Sequence, residues 1–225
     1  MVCRTTLAWY ELIPVVSFFF LLGRCRSCKT KIAMQYPLVE LASGLMFATL
    51  FLKFQDVFFA DTLAFIITFK YYAFIFCILL VISVYDLKHK IIPDQLSLLF
   101  GILAFVGLFF FGGPSPLEAW HVPSVIELLS GILIALPFFL LWLVSSGRWM
   151  GFGDVKFAVG IGWLLGLSQA FSALALAFWS GAIVGIALIL LSKKYKMKTE
   201  IPFAPYLVLG TFIAFILDLQ IFTPF

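Results

Sequence analysis

Apolar runs of near-membrane length follow one another almost without pause from residue 34 to residue 222. Seven can be marked: A 34–54, B 62–85, C 92–112, D 124–146, E 154–168, F 170–192 and G 202–222. A bilayer needs about 20 apolar residues of helix to cross it. Inside it, each backbone N–H and C=O must find its partner within the protein, which a helix achieves alone. The runs therefore predict an all-α fold: a polytopic membrane helix bundle of about seven transmembrane helices. Charged residues are only 12% of the chain, against roughly 25% in a soluble domain. Segment E is short and holds Gly160, Gly162 and Gly166, which predicts a tilted span packed closely on its neighbours. The E–F connection is so short that the two must form a tight antiparallel pair. Lys70, inside B, must snorkel or face the bundle interior.

Loop charges orient the bundle. The region before A carries Arg4, Arg24, Arg26, Lys29 and Lys31. The B–C loop carries Lys88 and Lys90, the D–E region Arg148 and Lys156, and the F–G loop Lys193, Lys194, Lys196 and Lys198. With seven spans all of these fall on one side, leaving Lys53 at the end of A and Lys70 within B as the other cations. Positive-inside makes the basic side cytoplasmic. These lysines meet cytoplasmic water and anionic lipid rather than nucleic acid. The chain divides into a small cytoplasmic Cys-containing segment, 1–32, and a membrane-embedded domain, 33–225. Within 1–32, the apolar run Leu12–Leu22 is too short to span, and the start has no signal-peptide pattern.

Carboxylates at a membrane edge are costly and are functional candidates by default. Gly151-Phe152-Gly153-Asp154 opens segment E, where glycines permit a sharp turn and a close helix approach. The seven-span topology puts Asp86, at the end of B, on the same side. Two aspartates brought close can share one proton, so that one acts as base on a water while the other polarises a carbonyl. A serine–histidine pair does not compete, because His89 and His121 fall on opposite sides. Plainer readings stand beside this one. Asp94, after Pro93, reads as an N-cap for C, and Asp154 as an N-cap for E. Asp86 could pair with Lys88 or Lys90, although the end of a helix disfavours an anion. Glu40 is either a buried functional acid or a cap-region residue.

The spacing Asp86-x6-Pro93-Asp94, followed by Gly151-x-Gly153-Asp154, resembles the bacterial type IV prepilin peptidases, polytopic aspartic proteases of the Gly-x-Gly-Asp class. The likeness extends to Leu7–Val15, Arg24–Cys28, Tyr36–Leu41 and Ile201–Tyr206. The last is similar to a Pro-Phe-Gly-Pro motif, with Ala204 in place of its glycine. The resemblance implies that Asp86 and Asp154 are the catalytic pair, supported by Gly151, Gly153, Pro93 and Asp94. It implies an inner-membrane endopeptidase that removes the basic leader of type IV prepilins or type II secretion pseudopilins on the cytoplasmic side, after a glycine. The peptidase needs no cofactor. The family commonly also N-methylates the new terminus with S-adenosylmethionine.

Cys25 and Cys28 have zinc-knuckle spacing. The family typically carries two Cys-x-x-Cys pairs in this region, and the chain shows the second pair and Cys3 alone of the first. It is therefore expected to be shortened at its N-terminus. Zinc held by Cys3, Cys25, Cys28 and a fourth ligand, and no bound metal, are both open readings. Two other functions compete: a small cation-binding transporter or channel, and an inactive truncated remnant. A transporter predicts acids near the bilayer midplane, whereas Asp86 and Asp154 lie at one edge.

Overall fold

The computed structural model describes residue 6 and residues 8–111, 121–191 and 201–221. The chain forms two compact units, residues 1–52 and 53–225. In the first, a 3-10 turn (Trp9–Leu12) and the short α1 (Val16–Phe20) precede a hairpin-like turn and the first part of α2 (Gln35–Ala60). Glu40 is exposed and accepts a 2.8 Å hydrogen bond from the Val15 amide. It therefore fixes a local turn, and the expectation of a buried acid is set aside.

The second unit holds the rest of α2, α3 (Thr62–His89), α4 (Asp94–Phe111), α5 (Val125–Ser145), α6 (Phe152–Leu191) and α7 (Ala204–Ile216). The Asp61 carboxylate caps α3, accepting from the Leu63 amide at 2.8 Å. Ser124 and Glu127 form a reciprocal capping box at the start of α5. Helices α2 to α6 are long and apolar enough to cross a membrane, and α7 is a shorter apolar helix. The protein is a multi-pass helical membrane protein, as its runs predict.

As one straight rod, the 40 residues of α6 would measure about 60 Å, twice the bilayer core. The rod is broken at Gly166 (φ 70°, ψ 173°), a conformation open to glycine. Neighbours on α5 give the direction of each arm. Phe152 lies against Trp142, with ring centroids 5.0 Å apart. A Cβ on Gly162 would come within 2.6 Å of the Gly131 Cα. Beyond Gly166, Phe178 lies beside Phe138, at 6.1 Å. The chain thus reverses at Gly166, and segments E and F are the two arms of α6. Counting those arms separately, the described residues hold helices at all seven predicted segments.

Boundaries differ where capping chemistry intervenes. Segment B continues through His89, until Lys90 takes a left-handed conformation (φ 55°). The helix of C starts only after Pro93. That of G covers only Ala204–Ile216, with residues 201–203 outside the helix before it and Asp218 in the left-handed region after it (φ 48°). Lys70 is exposed, which selects the snorkelling alternative.

The C-terminal ends of α3 and α5 and the N-terminal ends of α4, α6 and α7 meet at one end of the bundle, where Lys90, Arg148 and Lys156 cluster. At the opposite end, Asp218 binds the Lys53 ammonium at 2.7 Å and the Gln169 amide at 3.3 Å. Of the predicted basic-side residues, Arg4, Lys193, Lys194, Lys196 and Lys198 lie outside the described residues.

Candidate active site

Three stretches of chain, 86–94, 147–156 and 201–203, line a cavity of about 530 Å³ at the basic end of the bundle. Asp86 and Asp154 both line it, close enough for their charges to interact. They come from the last turn of α3 and the first turn of α6.

Asp86 is buried, with 5% of its surface exposed. Its backbone carbonyl accepts from the Lys90 amide at 2.7 Å, closing α3 as the chain turns into the short Ile91–Pro93 connection. Its carboxylate accepts a 3.1 Å hydrogen bond from the Ala204 amide, the first residue of α7. An anion is disfavoured at the C-terminal end of its own helix but favoured at the N-terminal end of another. The start of α7 therefore offsets the unfavourable position of Asp86 on α3. Pairing of Asp86 with Lys88 or Lys90 is not needed to account for it. The signal in the sequence was Ile201-Pro202-Phe203-Ala204-Pro205. Pro205 sits at the start of α7, where amides lack helical partners and Ala204 is left a free donor.

Asp154 is the third residue of α6. Its carboxylate turns back toward the Gly151 amide, the direction an N3 acid takes in a capping box. The two glycines before it differ in their surroundings. A Cβ on Gly153 would lie 3.1 Å from the Ile92 Cβ, so this glycine lets α6 press against the α3–α4 connection. A Cβ on Gly151 would meet nothing closer than 3.7 Å. Close approach thus explains Gly153 alone.

Asp94 sits at the cavity rim, and Pro93 just before it does not line the cavity. The Pro93 carbonyl accepts from the Ser97 amide at 3.0 Å, starting α4. Asp94 is the first residue of α4, and its largely exposed carboxylate pairs with Lys156 at 2.7 Å. Lys156 also lies over the Phe152 ring, 5.4 Å from its centroid. Sequence reasoning placed Lys156 among the loop cations and did not connect it with Asp94.

Cys25 and Cys28 belong to the first unit, on a turn closed by hydrogen bonds from the Cys25 amide to Thr30 and from the Lys29 amide to Cys25. Cys28 is exposed, its sulfur 3.2 Å from the Thr30 hydroxyl. Cys3 lies outside the described residues. Structural zinc takes four ligands. No group of three or more His, Cys, Asp or Glu able to hold a metal occurs among the described residues. The two thiols do not by themselves fit a zinc site.

The family model for the type IV leader peptidase family matches residues 73–186, and that for the bacterial peptidase A24 N-terminal domain matches residues 1–54. The chain belongs to the type IV leader peptidase family. It is an enzyme of the peptidase class. Relatives named prepilin leader peptidase/N-methyltransferase include one from Aeromonas salmonicida (strain A449), 34% identical over 94% of this chain and 68% of that protein. Another, from Bacillus subtilis (strain 168), is 30% identical over 95% of this chain and 79% of that protein. A third, from Pseudomonas aeruginosa, is 32% identical over 97% of this chain and 71% of that protein. No solved structure matches the chain. The matched peptidase region includes both cavity aspartates and ends before Ala204.

Proposed function

We propose that Asp86 and Asp154 are the catalytic pair of a prepilin peptidase. The observation that carries this reading is that both carboxylates line one cavity at the end of a membrane bundle. One carboxylate, ionised, takes a proton from water as the water oxygen bonds to the scissile carbonyl carbon. The other, protonated, hydrogen-bonds to the carbonyl oxygen and gives up its proton as the tetrahedral intermediate forms. The amide nitrogen is then protonated, the C–N bond breaks, and a carboxylic acid and a free amine leave.

The substrate in this reading is a type IV prepilin or pseudopilin whose basic leader is removed after a glycine. Lys90, Arg148 and Lys156 around the cavity support a cytoplasmic site in the bacterial inner membrane, by the positive-inside rule. Gly151 and Gly153 shape the cavity, Asp94 serves the rim, and Pro93 supports it by starting α4. N-methylation of the new terminus, drawing on S-adenosylmethionine, is the second activity in the relatives' names and is assigned to the same chain, with residues 1–32 as the associated segment. The test of the peptidase reading is leader removal from a prepilin in membranes. Asp86→Ala and Asp154→Ala should each abolish it, and Asp94→Asn should largely spare it. Cleavage that persists in either of the first two variants would reject the pair.

A further inference from the structure

A second cavity, of about 600 Å³, adjoins the first. It runs down the outer side of the bundle between α4 and the first arm of α6, bounded by Leu98, Gly101, Ile102, Phe105, Val159 and Trp163. Its walls are apolar except where Asp94, Ser97 and Lys156 contribute, and Asp94 and Lys156 also line the aspartate cavity. The Asp94–Lys156 ion pair is thus the shared boundary of a polar cavity and an apolar groove. Leu98 and Ile102 are 65% and 51% exposed along α4. At Gly101 a Cβ would meet nothing within 4 Å, so the groove is open at the depth of that residue.

From Asp94 to Phe105 the groove follows α4 for about 16 Å, at 1.5 Å per residue. A peptide whose scissile bond lies between Asp86 and Asp154 must continue somewhere. In the groove it would be inside the hydrocarbon, where its backbone polar groups have to be satisfied within the segment, as a helix does. The apolar side chains of the groove match an apolar helix and no charged segment. We propose that the α4–α6 groove holds the membrane-embedded helix of the precursor, and that the Asp94–Lys156 pair marks where the substrate unwinds into the cavity. This rests on the peptidase reading above and adds the place where the substrate helix docks.

The test uses the full chain reconstituted in vesicles with a full-length type IV prepilin. A photoreactive benzoyl-phenylalanine side chain replaces Ile102 in the Asp154→Asn background, so that binding is read without turnover. A covalent adduct with the prepilin is expected. It should be lost when Gly101→Trp fills the groove, and kept with Ile183→Trp, which adds the same bulk at an exposed position on the second arm of α6. With the aspartates intact, Gly101→Trp should raise KM for the prepilin by about tenfold with kcat little changed, the signature of lost substrate binding. An adduct with lipid alone, an adduct indifferent to Gly101→Trp, or an unchanged KM would each overturn the groove. Failure of the peptidase reading looks different, because cleavage would then survive Asp154→Asn.

Discussion

The amide of Ala204 donates to the carboxylate of Asp86 across 118 residues of chain. The bond joins the C-terminal end of α3 to the N-terminal end of α7. It is buried and falls to an acid of the candidate catalytic pair, so the start of α7 helps set where that carboxylate lies.

Replacing Ala204 separates side chain from amide. Ala204→Gly keeps the donor and is expected to cleave at close to the normal rate. Ala204→Pro removes the donor and leaves Asp86 short of a buried partner, a loss of about 1–3 kcal/mol. Leader cleavage in membranes, with thermal unfolding in detergent alongside, measures both. Equal activity in the two variants would show that the amide does not matter.

The glycines of Gly151-Phe152-Gly153-Asp154 should not respond alike. Gly153→Ala pushes on Ile92 and is expected to cost about 1–3 kcal/mol of packing, seen as a loss of cleavage. Gly151→Ala has more room and should be milder. Ile92→Gly, which removes the Cβ that the new methyl meets, should restore part of the activity in the Gly153→Ala background. Rates for the three variants on one precursor decide it.

Gly162 marks where α5 and α6 meet backbone to backbone. The Ser130 hydroxyl donates to the Gly162 carbonyl at 2.8 Å, and an added Cβ would lie 2.6 Å from the Ser130 carbonyl oxygen. Gly162→Ala is expected to lower stability by about 1–3 kcal/mol, as overpacking does. Gly44→Ala, on α2 with no atom within 4 Å of the new Cβ, should gain roughly 0.5–1 kcal/mol from helix propensity. Melting curves in one detergent compare them.

The Asp94–Lys156 pair should add little stability. Both side chains are substantially exposed, and such pairs contribute about 0–1 kcal/mol. Lys156→Gln is therefore expected to leave the melting temperature nearly unchanged. A drop comparable to that of Gly162→Ala would mean the pair is structural.

Much of the bundle was legible because membrane helices announce themselves by length and apolarity. Asp86 and Asp154 were legible as partners because loop charges put both at one edge, and the cavity contains both. What escaped was contact between segments far apart in sequence. Nothing in the alternation of apolar and charged residues says that the Ala204 amide meets Asp86, or that Lys156 meets Asp94. The glycines of segment E illustrate the divide. Their close packing was expected, but only the fold separates Gly162, set against Gly131, from Gly166, where the chain reverses.

That reversal has a consequence for the surrounding lipid. The arm of α6 that carries Asp154 runs only from Phe152 to Gly166, about 21 Å of helix against a hydrocarbon thickness near 30 Å. Local thinning of the bilayer is one of the ways a span this short is accommodated. Thinning lowers headgroups and their hydration toward the aspartate cavity, so water, the second reactant of any hydrolysis, has less hydrocarbon to cross.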